Sequence, residues 1–332
     1  MHYLDNAATT PVPPEVIQTI TETLERHFAN PSSLYAAGFE AERAIQKARG
    51  ALAAAMACAP DEVIFTGGGT ESNNLALLGA ARARQGWGRH LVTTGYEHPS
   101  GLKPLGQLAV QDGFQLSIIA PGANGQIDIE EVAAAVRKDT VLVSAMQVNN
   151  ETGATLDVAA LAALVKQKNP RTAFHVDGVQ GFIKLPLALK GTCIDSYAVS
   201  AHKLHGPKGV GALYLRKGYN LLPVMAGGGQ ERGLRPGTEN TACIAGFAKA
   251  VELARRTATK DAEITSSLRT RLLAGLAKLG EGIINSPDKG HPGILNVSFP
   301  GIKSESMLQF LAERGVLVSS GSACSKGEPS HT

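Results

Sequence analysis

The sequence predicts an α/β fold in which a large domain holds a mostly parallel sheet and a smaller α+β domain follows. Three observations carry that expectation. Short β-branched or apolar runs alternate with longer Ala- and Leu-rich stretches of helical spacing through most of the chain. At 332 residues the chain exceeds the length at which a single core usually stops growing. Its composition, 43% apolar and 18% charged, is that of a globular protein that builds its core without disulfides.

Taken in order, residues 15–27 and 40–56 carry apolar stripes at helical spacing. Residues 62–66 read as a buried strand and 72–85 as the helix after it. Further strands are expected at 90–94, 115–119, 141–144, 173–177 and 196–200, and helices at 129–137, 158–168 and 242–256. Crossover helices separate these strands, so most should pair in parallel. Residues 206–215 differ, because their glycine turns are too short for a crossover, and this strand is expected to return antiparallel. Helix is dense again over 249–279. A strand at 293–299, a helix at 304–314 and a strand at 315–319 then form a second unit, with the division near residue 255. Glycine clusters at 67–69 and 227–229 mark turns or ligand-approach loops.

Charge and cysteine usage remove several functions. The 32 Lys and Arg nearly balance the 29 Asp and Glu, and no basic block forms, which disfavours nucleic acid as a partner. The N-terminus lacks a basic region followed by an apolar one, and no eighteen apolar residues run together, so secretion and membrane spanning are disfavoured. Cys58, Cys193, Cys243 and Cys324 make no CxxC and have no histidine at zinc-finger spacing. Free thiols in a reducing cytoplasm are expected, with no structural metal.

Three segments point to chemistry. Thr66-Gly-Gly-Gly-Thr-Glu-Ser-Asn-Asn74 follows a predicted strand and opens a predicted helix. It reads equally as a tight turn or as a phosphate cradle, and matches neither a Walker loop nor a dinucleotide fingerprint. In His175-Val-Asp-Gly-Val-Gln180 a carboxylate stands at a strand end, where α/β sheets place ligands; by itself it reads more readily as a helix cap. Lys203, in Ser200-Ala-His-Lys-Leu-His-Gly-Pro-Lys-Gly209, sits just past a strand in a glycine-tightened loop. Its neighbours His202 and Lys208, with partial burial, favour the neutral, nucleophilic amine. A phosphate cradle, a strand-end acid and a lysine are together the parts that pyridoxal 5′-phosphate needs.

These motifs occur in order with Tyr3-Leu-Asp-Asn-Ala-Ala-Thr-Thr-Pro11, Asn30-Pro-Ser-Ser33, Glu97-His98, Asn149-Asn-Glu-Thr-Gly153 and Arg235-Pro-Gly-Thr-Glu-Asn240. The whole series resembles the cysteine desulfurases of the class V aminotransferase group. The resemblance implies an aspartate-aminotransferase-like fold (fold type I of pyridoxal-phosphate enzymes). It further implies a large cofactor-binding domain over residues 14–255 and a small domain from residues 1–13 and 256–332. Lys203 would be the Schiff-base lysine and Asp177 the pyridinium partner. Gln180 and Asn150 would lie at the ring hydroxyl, and His98 would stack on the ring and transfer protons, although alone it reads as a core histidine. Gly69, Thr70, Ser200 and His202 would hold the phosphate, joined by Thr238 of a partner subunit, which implies a homodimer. Asn30 would lie on the substrate side.

Ser319-Ser-Gly-Ser-Ala-Cys-Ser-Lys-Gly327 looks like the family's flexible-loop branch, with Cys324 as the reactive thiolate. The other cysteines read as small buried hydrophobes. The implied reaction turns L-cysteine into L-alanine, with Lys203 as base and Cys324 attacking the substrate sulfur. The resulting persulfide would pass to an iron–sulfur scaffold or another sulfur carrier, and Cys324 would be at most a transient iron–sulfur ligand. Two other readings stay open: another enzyme of the group, such as a selenocysteine lyase or an aminotransferase, and a non-catalytic cofactor-binding remnant. The sequence ends eight residues after Cys324, so the small domain is expected to lack a strand, a helix and the arginine that anchors the substrate carboxylate. Gly178, where the family commonly has alanine, is expected to matter little.

Overall fold

The computed structural model of the protein describes residues 1–321. Its elements begin with β1 (His2–Tyr3), α1 (Pro14–Arg26) and α2 (Ala36–Met56). The alternating part follows: β2 (Val63–Thr66), α3 (Gly69–Arg84), β3 (His90–Thr94), α4 (Pro99–Gln111), β4 (Gln115–Ile119), α5 (Ile129–Ala134), β5 (Thr140–Met146), α6 (Val158–Lys168), β6 (Ala173–Asp177), β7 (Ser196–Ser200) and β8 (Gly211–Leu215). The described chain closes with α7 (Thr241–Ala277), β9 (Ile283–Ile284), β10 (Val297–Ser298), α8 (Ser304–Glu313) and β11 (Val316–Leu317).

β2 to β8 form one seven-stranded sheet in the order β2-β8-β7-β6-β5-β3-β4. The strands from β7 to β4 in that order pair in parallel, whereas β8 runs antiparallel to both β7 and β2. The short turn after residue 206 does return the chain antiparallel, as its glycines require. Neighbouring residues on each strand serve opposite faces. Val92, Val143, Phe174 and Val199 join one core with Ile45 and Leu52 of α2, Leu161 of α6 and Phe247 of α7. Leu91, Leu142, Ala173 and Ala198 join the other with Leu75 and Leu78 of α3 and Leu105 and Leu108 of α4. Two buried faces explain why these strands read as continuous apolar runs without alternation.

Three local outcomes depart from the sequence reading. α4 was not expected, since Gly101, Pro104 and Gly106 dilute its pattern and Pro104 removes a helical donor. It forms because Leu105 and Leu108 are wholly buried against the sheet, and such packing outweighs propensity. The helices expected at 242–256 and 249–279 are one helix, α7, whose buried residues all lie between Thr241 and Val251. Residue 255 falls inside it. The strands expected at 293–299 and 315–319 shrink to two paired residues each, β10 against β9 and β11 against β1. No helix among the described residues is long and apolar enough to cross a membrane.

The edge strand β2 is closed by an ion pair. Arg49 donates to both Glu231 oxygens, at 2.9 and 2.7 Å, and to Val63 O at 2.7 Å. Phe65 N–H donates to the same carboxylate at 2.8 Å. Glu231, with its side chain 1% exposed, reaches this position through a backbone φ of 45°. Arg49→Met strands a buried carboxylate and should cost about 3–5 kcal/mol, read as a lower urea midpoint. Arg49→Met with Glu231→Leu should recover only part of that loss, because Phe65 N–H still lacks its acceptor.

Candidate active site

The site lies where the parallel strands end. Met146 pairs with Asp177, and Asp177 with Ala198 two residues before Ser200, so the ends of β5, β6 and β7 stand side by side. Open α/β sheets leave a crevice at such an edge. A cavity of about 180 Å³ occupies it, lined by Gly69, Thr70, His98, Asn150, Asp177, Gln180, Ser200, His202 and Lys203. Ala7 and Ala8 line it from the N-terminal segment, and Ser319 and Gly321 from the end of the described chain.

Each wall has a local cause. Gly68 adopts a φ of +149°, which side chains avoid, and this turns β2 directly into α3. As the N-cap it offers no capping side chain, so the amide end of α3 is left for an anion. Glu71 in that first turn is drawn aside, accepting from Arg235 Nε at 2.8 Å and Gly67 N at 3.0 Å. Lys203 Nζ donates to Ala7 O at 2.5 Å and Ala8 O at 2.7 Å, and Gln180 Nε2 also donates to Ala7 O at 2.8 Å. The segment that supplies these carbonyls is strapped down because Thr10 donates to His202 O through both N and Oγ1. Asp177 Oδ1 accepts from Val179 N at 3.0 Å, a turn-type bond, while Oδ2 accepts from Asn73 Nδ2 at 2.7 Å. Asn149 fixes the loop that presents Asn150, donating to Tyr96 O and accepting from Glu151 N and Thr152 N.

Burial sets the charges. It pushes His202 down to about 4, aided by Lys203, Lys208 and Lys184, so the imidazole is neutral at pH 7. The half-buried Lys184 is brought down to about 8 by burial and then by Lys203; its Nζ lies 3.4 Å from Gln180 Oε1. Burial lifts Glu97 to about 8, against the opposing hydrogen bonds from Thr94 and Met146 N and with the Asp177 charge adding to the rise. The cavity therefore offers a lysine amine, a carboxylate that accepts two hydrogen bonds, and a neutral histidine beside a helix N-terminus. That donor set fits pyridoxal phosphate, whose aldehyde, ring nitrogen and phosphate need those three partners.

Of the residues singled out in the sequence, nine meet in this cavity. Asn30 is exposed and outside its lining, with Oδ1 accepting from Ser32 N at 2.9 Å. Thr238 is likewise exposed and outside the lining of the cavity. Cys324 lies outside the described residues. Gly178 is not a neutral departure: a Cβ there would fall 1.9 Å from Tyr197 Cζ, so the tyrosine ring has taken the space of an alanine methyl. Sequence reasoning missed Ala7 and Ala8, whose carbonyls carry no side-chain signal, and also Asn73, Ser100, His175 and Lys184. Asn73 was legible, being three residues after Thr70 on one helix and therefore on its face.

The family model for class-V aminotransferases matches residues 2–332. This chain belongs to that family, whose members are pyridoxal-phosphate enzymes. More particularly, it is similar to cysteine desulfurases. It is 42% identical to cysteine desulfurase IscS of Methylococcus capsulatus, over 99% of this chain and 82% of that one. Among solved structures, a NifS-like protein matches with a TM-score of 0.93 and 38% identity, covering 96% of this chain and 87% of that one. DndA from Streptomyces lividans matches with a TM-score of 0.82 and 41% identity, covering 94% and 88%. The fold is therefore the type I fold of pyridoxal-phosphate enzymes that the sequence predicted.

Glu97 generates a test by pH. Its folded value near 8 exceeds the ordinary 4.5, so between those values the folded state holds a proton that the unfolded chain has released. Stability from this group is full below about 4.5 and is lost as pH rises towards 8, by at most about 1.4 kcal/mol per pH unit. Glu97→Gln should flatten that slope in urea unfolding of the cofactor-free protein between pH 5 and 8.

Proposed function

We propose that this protein is a cysteine desulfurase, converting L-cysteine to L-alanine and taking up the sulfur on Cys324. One observation carries the reading: Lys203, Asp177 and the α3 N-terminus share a cavity with Ser319 and Gly321, which belong to the run that continues to Cys324. Lys203 would hold the cofactor's aldehyde carbon and Asp177 its ring nitrogen. Gln180 and Asn150 would meet its hydroxyl, and Gly69, Thr70, Ser200 and His202 its phosphate. Pyridoxal phosphate supplies a ring that accepts the electron pair left when a proton leaves the substrate α-carbon.

The chain's own residues do the rest. Lys203 Nζ, which donates to two backbone carbonyls at the cavity wall, would take the α-proton once the substrate amine has displaced it. The neutral His202 and the α3 amides receive an anion, and Arg235 keeps the Glu71 carboxylate away from it. The Cys324 thiolate forms an S–S bond with the substrate sulfur while the substrate Cβ–S bond breaks. Cβ keeps that electron pair and gains a proton, with His98 in the cavity wall to supply it, and alanine results. We further propose that Thr238 reaches the phosphate of a partner subunit in a homodimer, that Asn30 serves the substrate side, and that the persulfide passes to an iron–sulfur scaffold or a sulfur carrier.

Alanine formation from L-cysteine under reducing conditions tests this, with the protein loaded with pyridoxal phosphate. The parent should make alanine, and Cys324→Ala and Lys203→Ala should lose at least about 100-fold, since each removes a group that acts on the substrate. Bound cofactor without alanine from the parent, or alanine undiminished in Cys324→Ala, would overturn the reading.

A further inference from the structure

From His98 and Asp177 in the cavity wall a polar chain runs inward through Ser100, Asn73, His175 and Ser196, four residues to which the reaction above gives no part. His98 is the N-cap of α4, and its Nδ1 accepts the backbone N–H of Ser100 at 3.0 Å. A backbone amide only donates, so Nδ1 carries a lone pair and the neutral ring bears its proton on Nε2. The Ser100 hydroxyl, 2.8 Å from that same Nδ1, must donate to it as well. Ser100 Oγ in turn accepts from Asn73 Nδ2 at 2.9 Å, and the second Nδ2 hydrogen goes to Asp177 Oδ2 at 2.7 Å. With both hydrogens committed, Asn73 Oδ1 accepts from His175 Nε2 at 3.0 Å, and His175 Nδ1 accepts from Ser196 Oγ at 2.8 Å. Asn73, His175 and Ser196 are each at most 1% exposed, and burial drives His175 to about 3, which keeps it neutral and able to play both parts. Each donor meets an acceptor: flipping the Asn73 amide would set its Oδ1 against Asp177 Oδ2, the other His175 tautomer would set Nε2 against Asn73 Oδ1, and a proton on His98 Nδ1 would face the Ser100 N–H, each at the cost of a buried unsatisfied group.

We propose that Asn73 is a positioning residue that locks Asp177 and, through Ser100, His98 into one hydrogen-bond polarity, so that His98 meets an amino-acid substrate as an Nε2–H donor. Asn73 is not among the residues that line the cavity; its one amide reaches both the Asp177 carboxylate and, through Ser100, the His98 imidazole. The functional sense of this inference rests on the proposed reaction, but the polarity itself is a property of the folded chain. It leaves the removal of the α-proton to Lys203, because the neutral ring has no lone pair on Nε2 and its Nδ1 is doubly engaged.

The test reads the tautomer without turnover. In the pyridoxal-phosphate-loaded protein carrying ¹⁵N-histidine, the His98 signals are identified by their loss in His98→Gln. At neutral pH and without cysteine, Nδ1 should resonate as an unprotonated ring nitrogen and Nε2 as a protonated one. A ring protonated on Nδ1, alone or with Nε2, overturns the proposal. The coupling is read from cofactor dissociation constants of Asn73→Ala, Ser100→Ala and the double variant. Each single change should weaken binding about ten-fold, and the double variant should fall well short of 100-fold, because the two side chains share a hydrogen bond. Independent, multiplying losses would overturn Asn73 as the link. The tautomer measurement needs no Asn73 variant, so it decides the polarity even if that variant does not fold. An Nε2–H ring in a protein that makes no alanine would sink the desulfurase reading and leave this one standing; the reversed ring in an active enzyme would do the opposite.

Discussion

The parallel register of β3, β5, β6 and β7 is the constraint from which the site follows. Because Met146 pairs with Asp177 and Asp177 with Ala198, three strands end at one level and their next residues must turn away over a common edge. Those turns carry Asn150, Gln180, His202 and Lys203. The helices that make parallel pairing possible also bring α3 and α4 to the same edge, N-terminus first, with Thr70 and His98 at their starts. A site assembled this way draws on residues more than a hundred positions apart, yet each is only a turn away from a buried strand.

That edge collects more charge than a buried crevice tolerates, and the structure resolves this by neutralising some groups and pairing others. Glu97 is held protonated by burial and by the nearby Asp177 charge, and His202 is held neutral by burial and three lysines. Asp177 receives two donors, and Lys203 faces two backbone carbonyls. Glu71 is matched by Arg235, at the far end of the glycine-rich loop that Arg49 and Glu231 anchor to β2. An anionic, aldehyde-bearing cofactor would find its partners already oriented, and so would lose little to reorganisation on binding.

The N-terminal ten residues show how a short segment becomes part of a distant site. β1 pairs in parallel with β11, Ser319 Oγ donates to Asp5 Oδ1, and Thr10 clasps the Lys203 loop. Residues from both ends of the described chain thus stand over the cavity together. α7 has a comparable double character, since its first three turns are buried in the core and the remainder is largely exposed.

The sequence by itself determined the α/β class, most strands within a residue or two, the antiparallel return of β8 and the nine cavity residues. The elements depend on local signals, buried runs and glycines at forced turns; so do the glycine-rich turn before α3 and Asp177 and Lys203 at strand ends, whereas the other cavity residues follow from the resemblance to cysteine desulfurases. Tertiary structure alone decided the rest. α4 exists because a sheet face needed Leu105 and Leu108, although Pro104 argues against a helix. The Lys203 amine is held by Ala7 and Ala8 carbonyls, which every residue type possesses and no pattern reveals. Gly178 depends on a tyrosine nineteen residues later, and the proton on His98 depends on a backbone amide and an asparagine from another helix. Apolar periodicity is written along the chain, but hydrogen-bond polarity belongs to pairs of groups, and it is fixed only when folding brings them together.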